Sequence, residues 1–72
     1  MNAMQAARQV ATESFDEYLD ALGSAAASSV PHCVEEKARR AYRDAGGIGD
    51  IVVRGRGNRT HPVCTVYVMK AK

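Results

Sequence analysis

The sequence has no tryptophan, and its 72 residues include only two cysteines, two prolines and one phenylalanine. Two cysteines are too few for the disulfide framework of a small secreted scaffold. No run of about 18 consecutive apolar residues occurs, which argues against a transmembrane helix and a membrane partner. The first residues, MNAMQAAR, lack the basic start and apolar run of a signal peptide. These absences predict a soluble cytoplasmic protein with reduced thiols.

The chain is long enough for one small domain. Its 72 residues are 46% hydrophobic, which suffices for one thin core. A domain of this size buries only about 60% of the surface of its unfolded chain, so we expect a monomer of marginal stability. The length excludes a multidomain enzyme and a nucleotide-binding α/β domain of ordinary size.

Charge is divided between the two halves of the chain. Residues 1–36 carry six acids and one base, whereas residues 37–72 carry nine bases and two acids. No acid follows Asp50. This division predicts two faces of opposite sign, which serve a charged partner or neutralise each other within the fold or across a dimer.

The N-terminal part of the chain predicts an amphipathic helix. Apolar residues recur three or four positions apart over residues 3–22, with Asn2 as the N-cap and Gly23 as the stop. The alternative is a shorter helix that begins at a capping box formed by Ser14 and Glu17.

A second helix is predicted over residues 31–45. Pro31 suits its first turn, and two glycines follow its end. The small residues 23–30 before it predict a flexible connection.

The C-terminal part predicts an antiparallel hairpin. β-Branched and aromatic residues indicate strands over 50–54 and 63–69, joined by a long basic loop over 55–62. Two helices followed by two strands predict a two-layer α+β fold. The second strand is apolar on both faces, and both edges of a two-stranded sheet are open. We therefore expect a homodimer that continues the sheet across its two-fold axis or packs sheet on sheet.

The two histidines and two cysteines are the candidates for a metal or catalytic site. His32 with Cys33 and His61 with Cys64 lack the spacing of a zinc knuckle, so no metal or other cofactor is expected. Cys33 beside His32 is the best nucleophile candidate, but so small a core is not expected to hold a substrate pocket, and the protein is not predicted to be an enzyme. The sequence leaves open whether Cys33 and Cys64 form a disulfide.

Two charged clusters are the candidate partner-binding sites. The acidic stripe lies in the C-terminal half of the first helix, where the helix dipole disfavours acids, and consists of Glu13, Asp16, Glu17 and Asp20. The basic cluster lies in the hairpin and the C-terminal tail and consists of Arg54, Arg56, Arg59, Lys70 and Lys72. Arginines beside glycines suit phosphate contacts, but the loop offers no aromatic side chain for base stacking.

In size and build, the chain is similar to the small proteins that phages encode to block host machinery, anti-CRISPR proteins among them. The resemblance is one of class and rests on no particular residue. It implies a non-enzymatic protein that occludes a charged surface of a larger protein or nucleoprotein complex, with the acidic stripe as a mimic of nucleic-acid phosphates. The alternative is a small nucleic-acid-binding regulator that uses the basic cluster. A third possibility is a subunit that assembles only with itself.

Overall fold

The computed structural model describes residues 2–69. They form two helices, α1 (Ala3–Leu22) and α2 (His32–Asp44), and then two strands, β1 (Ile51–Gly57) and β2 (Pro62–Val68). The two strands form an antiparallel sheet. The expected α+β order of two helices and a hairpin is confirmed. Neither helix has the length and apolar character needed to cross a bilayer, as far as the described residues go.

Helix α1 begins at a capping box. The N–H of Gln5 donates to the Asn2 side chain over 2.8 Å, and the N–H of Asn2 donates to the Gln5 side chain over 3.0 Å. These reciprocal bonds satisfy N–H groups that the first turn leaves free. The alternative start at Ser14 is wrong, because Ser14 lies within α1 and is buried in the core.

Helix α2 is one residue shorter at each end than the predicted 31–45. Pro31 is its N-cap rather than a first-turn residue, with an extended backbone at φ −68° and ψ 155°. An isolated β-bridge holds the connection before α2 against β1, because Ala27 and Gly57 exchange two backbone hydrogen bonds of 2.8 and 2.9 Å. The linker was expected to be flexible throughout, and the sequence offers no local signal for this bridge.

The strands predicted over 50–54 and 63–69 are displaced toward the turn in the structure. The expected loop over 55–62 shrinks to residues 58–61, since β1 continues through two glycines and β2 begins at a proline. Glycine and proline are disfavoured in strands, so residue preference alone places the end of β1 and the start of β2 too far from the turn.

Gly55 shows why a glycine stands inside β1. A Cβ atom at this position would lie 2.7 Å from Cγ2 of Val30 and 3.1 Å from the ring of Phe15. Only a residue without a side chain lets the strand approach the helices this closely.

The core lies between the helices and one face of the sheet. Helix α1 packs on β2 and on α2, and α2 also packs on β1. All four elements contribute buried apolar side chains: Ala7, Ala11, Phe15, Leu19, Val34, Ala38, Tyr42, Ile51, Val53 and Val66. The other face of the sheet carries exposed residues in alternation with these, which leaves it open for contacts outside the chain.

Candidate functional site

The acidic stripe runs along an exposed side of α1. Glu13 and Glu17 lie four residues apart, as do Asp16 and Asp20, and the two pairs are neighbours around the helix, so the four carboxylates share one broad side with a rise of about 5.4 Å per turn. All four residues are exposed. Together with Arg59 and Pro62 they line an open depression beside the hairpin turn.

The charge order of α1 is opposite to what the helix dipole favours. Its first turn holds no acid and its last turn no base. Helix α2 follows the rule, with Glu35 in its first turn and Arg43 in its last. The acidic stripe therefore lowers the stability of α1 instead of raising it, by about a few tenths of a kcal/mol for each misplaced acid.

One arginine of the basic cluster lies against the acidic stripe. Nη1 of Arg59 is 3.7 Å from Oδ1 of Asp20, and the two side chains are 59% and 72% exposed. An ion pair this exposed contributes about 0–1 kcal/mol, so it neutralises the stripe only in part.

The turn that carries Arg59 is held by hydrogen bonds. Oδ1 of Asn58 accepts bonds from the N–H groups of Thr60 and His61 over 3.0 and 2.8 Å. Such a bonded turn positions Arg59 toward α1, whereas the sequence suggested a long basic loop.

The open face of the sheet, called the outer sheet face below, gathers side chains from both strands. It consists of Val52, Arg54, Arg56, Val63, Thr65 and Tyr67. The register places Arg54 opposite Thr65, and Tyr67 opposite Val52. Tyr67 is 44% exposed. The exposed aromatic ring of Tyr67 thus shares a face with Arg54 and Arg56.

A third arginine borders the outer sheet face. An open groove of about 650 Å³ runs from this face past the edge of β1 to Arg39 and Glu35 of α2. Nη1 of Arg39 is 2.9 Å from Oε1 of Glu35. Nε of Arg39 is buried and has no hydrogen-bond partner among the described residues. The spacing of four residues predicts the ion pair, but only the packing of α2 beside β1 brings Arg39 to the groove.

The structure divides the predicted basic cluster. Arg54 and Arg56 lie on the outer sheet face, whereas Arg59 lies at the turn beside the acidic stripe. Lys70 and Lys72 lie outside the described residues. Arg59 therefore lies apart from Arg54 and Arg56, which are both exposed on the outer sheet face.

Cys64 is poorly suited to covalent chemistry. Both cysteines are free thiols, with Cys33 exposed and Cys64 half-buried. Burial, and then the negative charge of Asp16, raise the pKa of the Cys64 thiol. A raised pKa keeps the thiol protonated and makes it a poor nucleophile.

The arrangement of potential metal ligands is a separate question. Across the part of the chain that the structure describes, no three His, Cys, Asp or Glu side chains are grouped to hold a metal ion. That the protein has no cofactor and is not an enzyme stays a prediction.

The chain was compared with known proteins at three levels. A scan against protein-family models, a search of curated proteins and a search of solved structures each found no match. The similarity to phage-encoded inhibitors therefore has no support from a related sequence or structure. The acidic stripe and the outer sheet face are the two surfaces that bear on function.

Proposed function

We propose that this protein is a non-enzymatic binding protein that uses the acidic stripe to occlude a basic surface of a larger protein or nucleoprotein complex. The observation that supports it is the row of four exposed carboxylates on α1, placed where the helix dipole disfavours them. One weak ion pair meets this row from within the described residues. Carboxylates kept at a cost to their own helix, and left largely unneutralised, are available to a cationic partner.

A helix suits this task because it holds the carboxylates in fixed positions. Successive turns are separated by about 5.4 Å, so a groove lined with Lys and Arg can meet several carboxylates at once. Complementary charge speeds association and excludes partners of the wrong sign. The small phage-encoded inhibitors that the chain resembles in size and build act by such occlusion, and here the carboxylates take the place of phosphates.

Charge reversal at Glu13 and Glu17 together (Glu13→Lys, Glu17→Lys) is expected to lower partner affinity at least about 100-fold, because each close charge pair is worth about 1.5 kcal/mol or more. The fold should persist, since both residues are exposed and fewer acids then oppose the dipole of α1. Affinity purification from host cells identifies the partner, and calorimetry with the purified partner gives the dissociation constant.

The matched control reverses two exposed acids on the other helix (Glu36→Lys, Asp44→Lys), which changes the net charge by the same amount. We expect this variant to bind within a few-fold of the wild type. Equal binding by the Glu13 and Glu17 variant would remove the acidic stripe from the interface. An equal loss in both variants would show that only net charge matters.

We propose nucleic-acid binding through the outer sheet face as a second candidate function. It is supported by the exposure of Tyr67 on the same face as Arg54 and Arg56. A base stacked on an exposed aromatic ring contributes about 1–3 kcal/mol, and arginines beside the ring contact the phosphates. A single strand is the favoured ligand, because its bases are free to stack.

The two contributions are separable by fluorescence anisotropy with labelled single-stranded and duplex oligonucleotides. Tyr67→Ala is expected to lower the affinity for single strands at least about fivefold and to leave the salt dependence unchanged. The double variant Arg54→Ala, Arg56→Ala is expected to reduce the slope of log K against log salt by about 1.4, or about 0.7 for each phosphate contact.

Arg40→Ala with Arg43→Ala on α2 is the control for these arginines, since it removes two exposed cations from another face. It should leave both the affinity and the salt slope near the wild-type values. Failure of the wild type to bind any oligonucleotide at low salt would rule out the second candidate.

We also propose that the chain acts as a homodimer, as its sequence predicts. Exposed apolar side chains concentrate on β2, where Val63, Tyr67 and Val68 are 51%, 44% and 45% exposed. A second copy paired along β2 would bury part of this strand, including Val68 on the face that bears the helices, and would add apolar area that a chain of this length lacks, while Val63 and Tyr67 stay on the outer sheet face. The cytoplasmic location stays a prediction.

A further inference from the structure

One whole edge of β2 is unpaired within the described residues. In an antiparallel ladder, alternate residues point their N–H and C=O groups toward the neighbouring strand and away from it. The N–H of Met69 donates to the C=O of Asp50 over 3.0 Å, while Gly57 turns both of its groups away from β2 to Ala27. By this alternation, three residues of β2 direct their backbone groups to the outer edge: Cys64, Val66 and Val68.

The sequence of β2 offers this edge little protection. Its seven residues, PVCTVYV, include no charge, and its proline stands at the first position. Strand β1 has two arginines, and its own outer edge is partly occupied by Ala27. Natural proteins usually guard an exposed edge with charge, proline or a covering loop. An uncharged edge rich in β-branched residues is instead a template for a further strand.

The charges beside this edge suit a second copy of the same chain. Arg8 and Thr12 of α1 line a groove with residues 64–66 of β2. Asp16, one helical turn beyond Thr12, lines a depression together with Pro62, the first residue of β2. The cation Arg8 thus lies four residues before Thr12 and the anion Asp16 four residues after it, each about 6 Å from Thr12 along the axis of α1.

We propose that two copies pair antiparallel through β2, about a two-fold axis at Thr65, to form one four-stranded sheet. This inference rests on the homodimer proposed above and specifies its interface. The axis at Thr65 overlaps the full strand 62–68 with its counterpart and sets Cys64 opposite Val66 of the partner subunit, so that free backbone groups meet. It also brings the two α1 helices side by side and antiparallel, with Arg8 facing Asp16 of the partner subunit.

This arrangement leaves open the outer sheet face and the acidic stripe apart from Asp16. Glu13 and Glu17 lie about 100° around α1 from Thr12 and Asp16, so they stay exposed beside the interface. The outer sheet face becomes continuous across four strands and carries two sets of Arg54, Arg56 and Tyr67. A longer ligand can then span both copies, which raises affinity through multivalency.

A cysteine at the axis tests the register directly. In a chain whose natural cysteines are replaced (Cys33→Ser, Cys64→Ala), Thr65→Cys is expected to form a disulfide-linked dimer under mild oxidation, visible on a non-reducing gel. Residues at a non-hydrogen-bonded antiparallel position have Cα atoms about 4.5 Å apart, which is within disulfide range. The matched control is Arg54→Cys, which lies opposite Thr65 on the same face. Its counterpart is about three strand spacings, or about 14 Å, away, so it should stay monomeric on the gel.

A charge swap provides the second test, with sedimentation equilibrium as the readout. Arg8→Asp and Asp16→Arg are each expected to weaken dimerisation about tenfold, because two symmetry-related pairs become repulsive, and the double variant should restore it. A monomeric wild type would overturn both the homodimer and this interface. A dimeric wild type with cross-linking at Arg54→Cys but not at Thr65→Cys would overturn the interface and leave the homodimer standing. Partner binding through Glu13 and Glu17 is measured separately and depends on neither result.

Discussion

Replacement of Phe15 by alanine is expected to unfold most of the protein at room temperature. Phe15 is fully buried and packs with Leu19 and Val34 in the half of the core nearest the hairpin turn. Removing a buried phenylalanine side chain costs about 3–5 kcal/mol, because transfer energy is lost and a cavity remains. A core of this size supplies only about 3–5 kcal/mol of net stability. Circular dichroism with urea titration measures the loss.

Two further variants make this result specific to the core. Phe15→Leu keeps most of the volume and is expected to cost less than about 1.5 kcal/mol, so it should stay folded. Tyr67→Ala removes an aromatic ring of similar size from the outer sheet face, where it is 44% exposed, and should cost much less than Phe15→Ala. Equal stability losses at Phe15 and Tyr67 would contradict the core described for this fold.

Replacement of Gly57 by alanine is expected to destabilise the protein by about 3 kcal/mol. Gly57 has a φ of 115°, and a Cβ atom there would collide with the carbonyl oxygen of His61. Backbone strain of this kind costs about 1–3 kcal/mol. Any shift that relieves the collision also weakens the two hydrogen bonds to Ala27, each worth about 1 kcal/mol. Hydrogen exchange should show early loss of protection at the amides of Ala27 and Gly57.

Gly49 is the matched control for this substitution. Its φ of 86° is also in the region that favours glycine, but a Cβ atom there would meet nothing within 4 Å. Gly49→Ala should therefore cost about 1–2 kcal/mol, from strain alone, and leave the Ala27 amide protected. Equal effects at the two glycines would mean that the approach of Gly57 to His61 and Ala27 contributes little to stability.

The elements that the sequence predicted well are those set by local interactions. Helix α1 follows from a period of three and four residues and from a cap at Asn2 only three residues away from its partner Gln5. The acidic stripe follows equally from neighbouring positions on this helix, and the order of elements follows from the residue pattern within each segment. These features depend on contacts within a turn or two of the chain, which a linear pattern records.

The length of the hairpin strands depends on contacts that residue preference does not record. Residue preference ended β1 before Gly55, but that glycine belongs to the strand because Val30 and Phe15 fill the space a side chain would need. The bridge between Ala27 and Gly57 joins segments 30 residues apart. The neighbouring residues in the sequence predict neither the glycine inside β1 nor this bridge.

By itself, the sequence determined the fold class, the two helices, the hairpin and the separation of charge along the chain. Only the tertiary structure decided which charges lie together. Because of the strand register, Tyr67 lies on the same face as Arg54 and Arg56. The hairpin turn places Arg59 beside Asp20 of α1. Register and helix packing arise from contacts between distant segments, and a shift of one residue would move every strand side chain to the opposite face. The surfaces proposed to bind partners are therefore properties of the assembled fold.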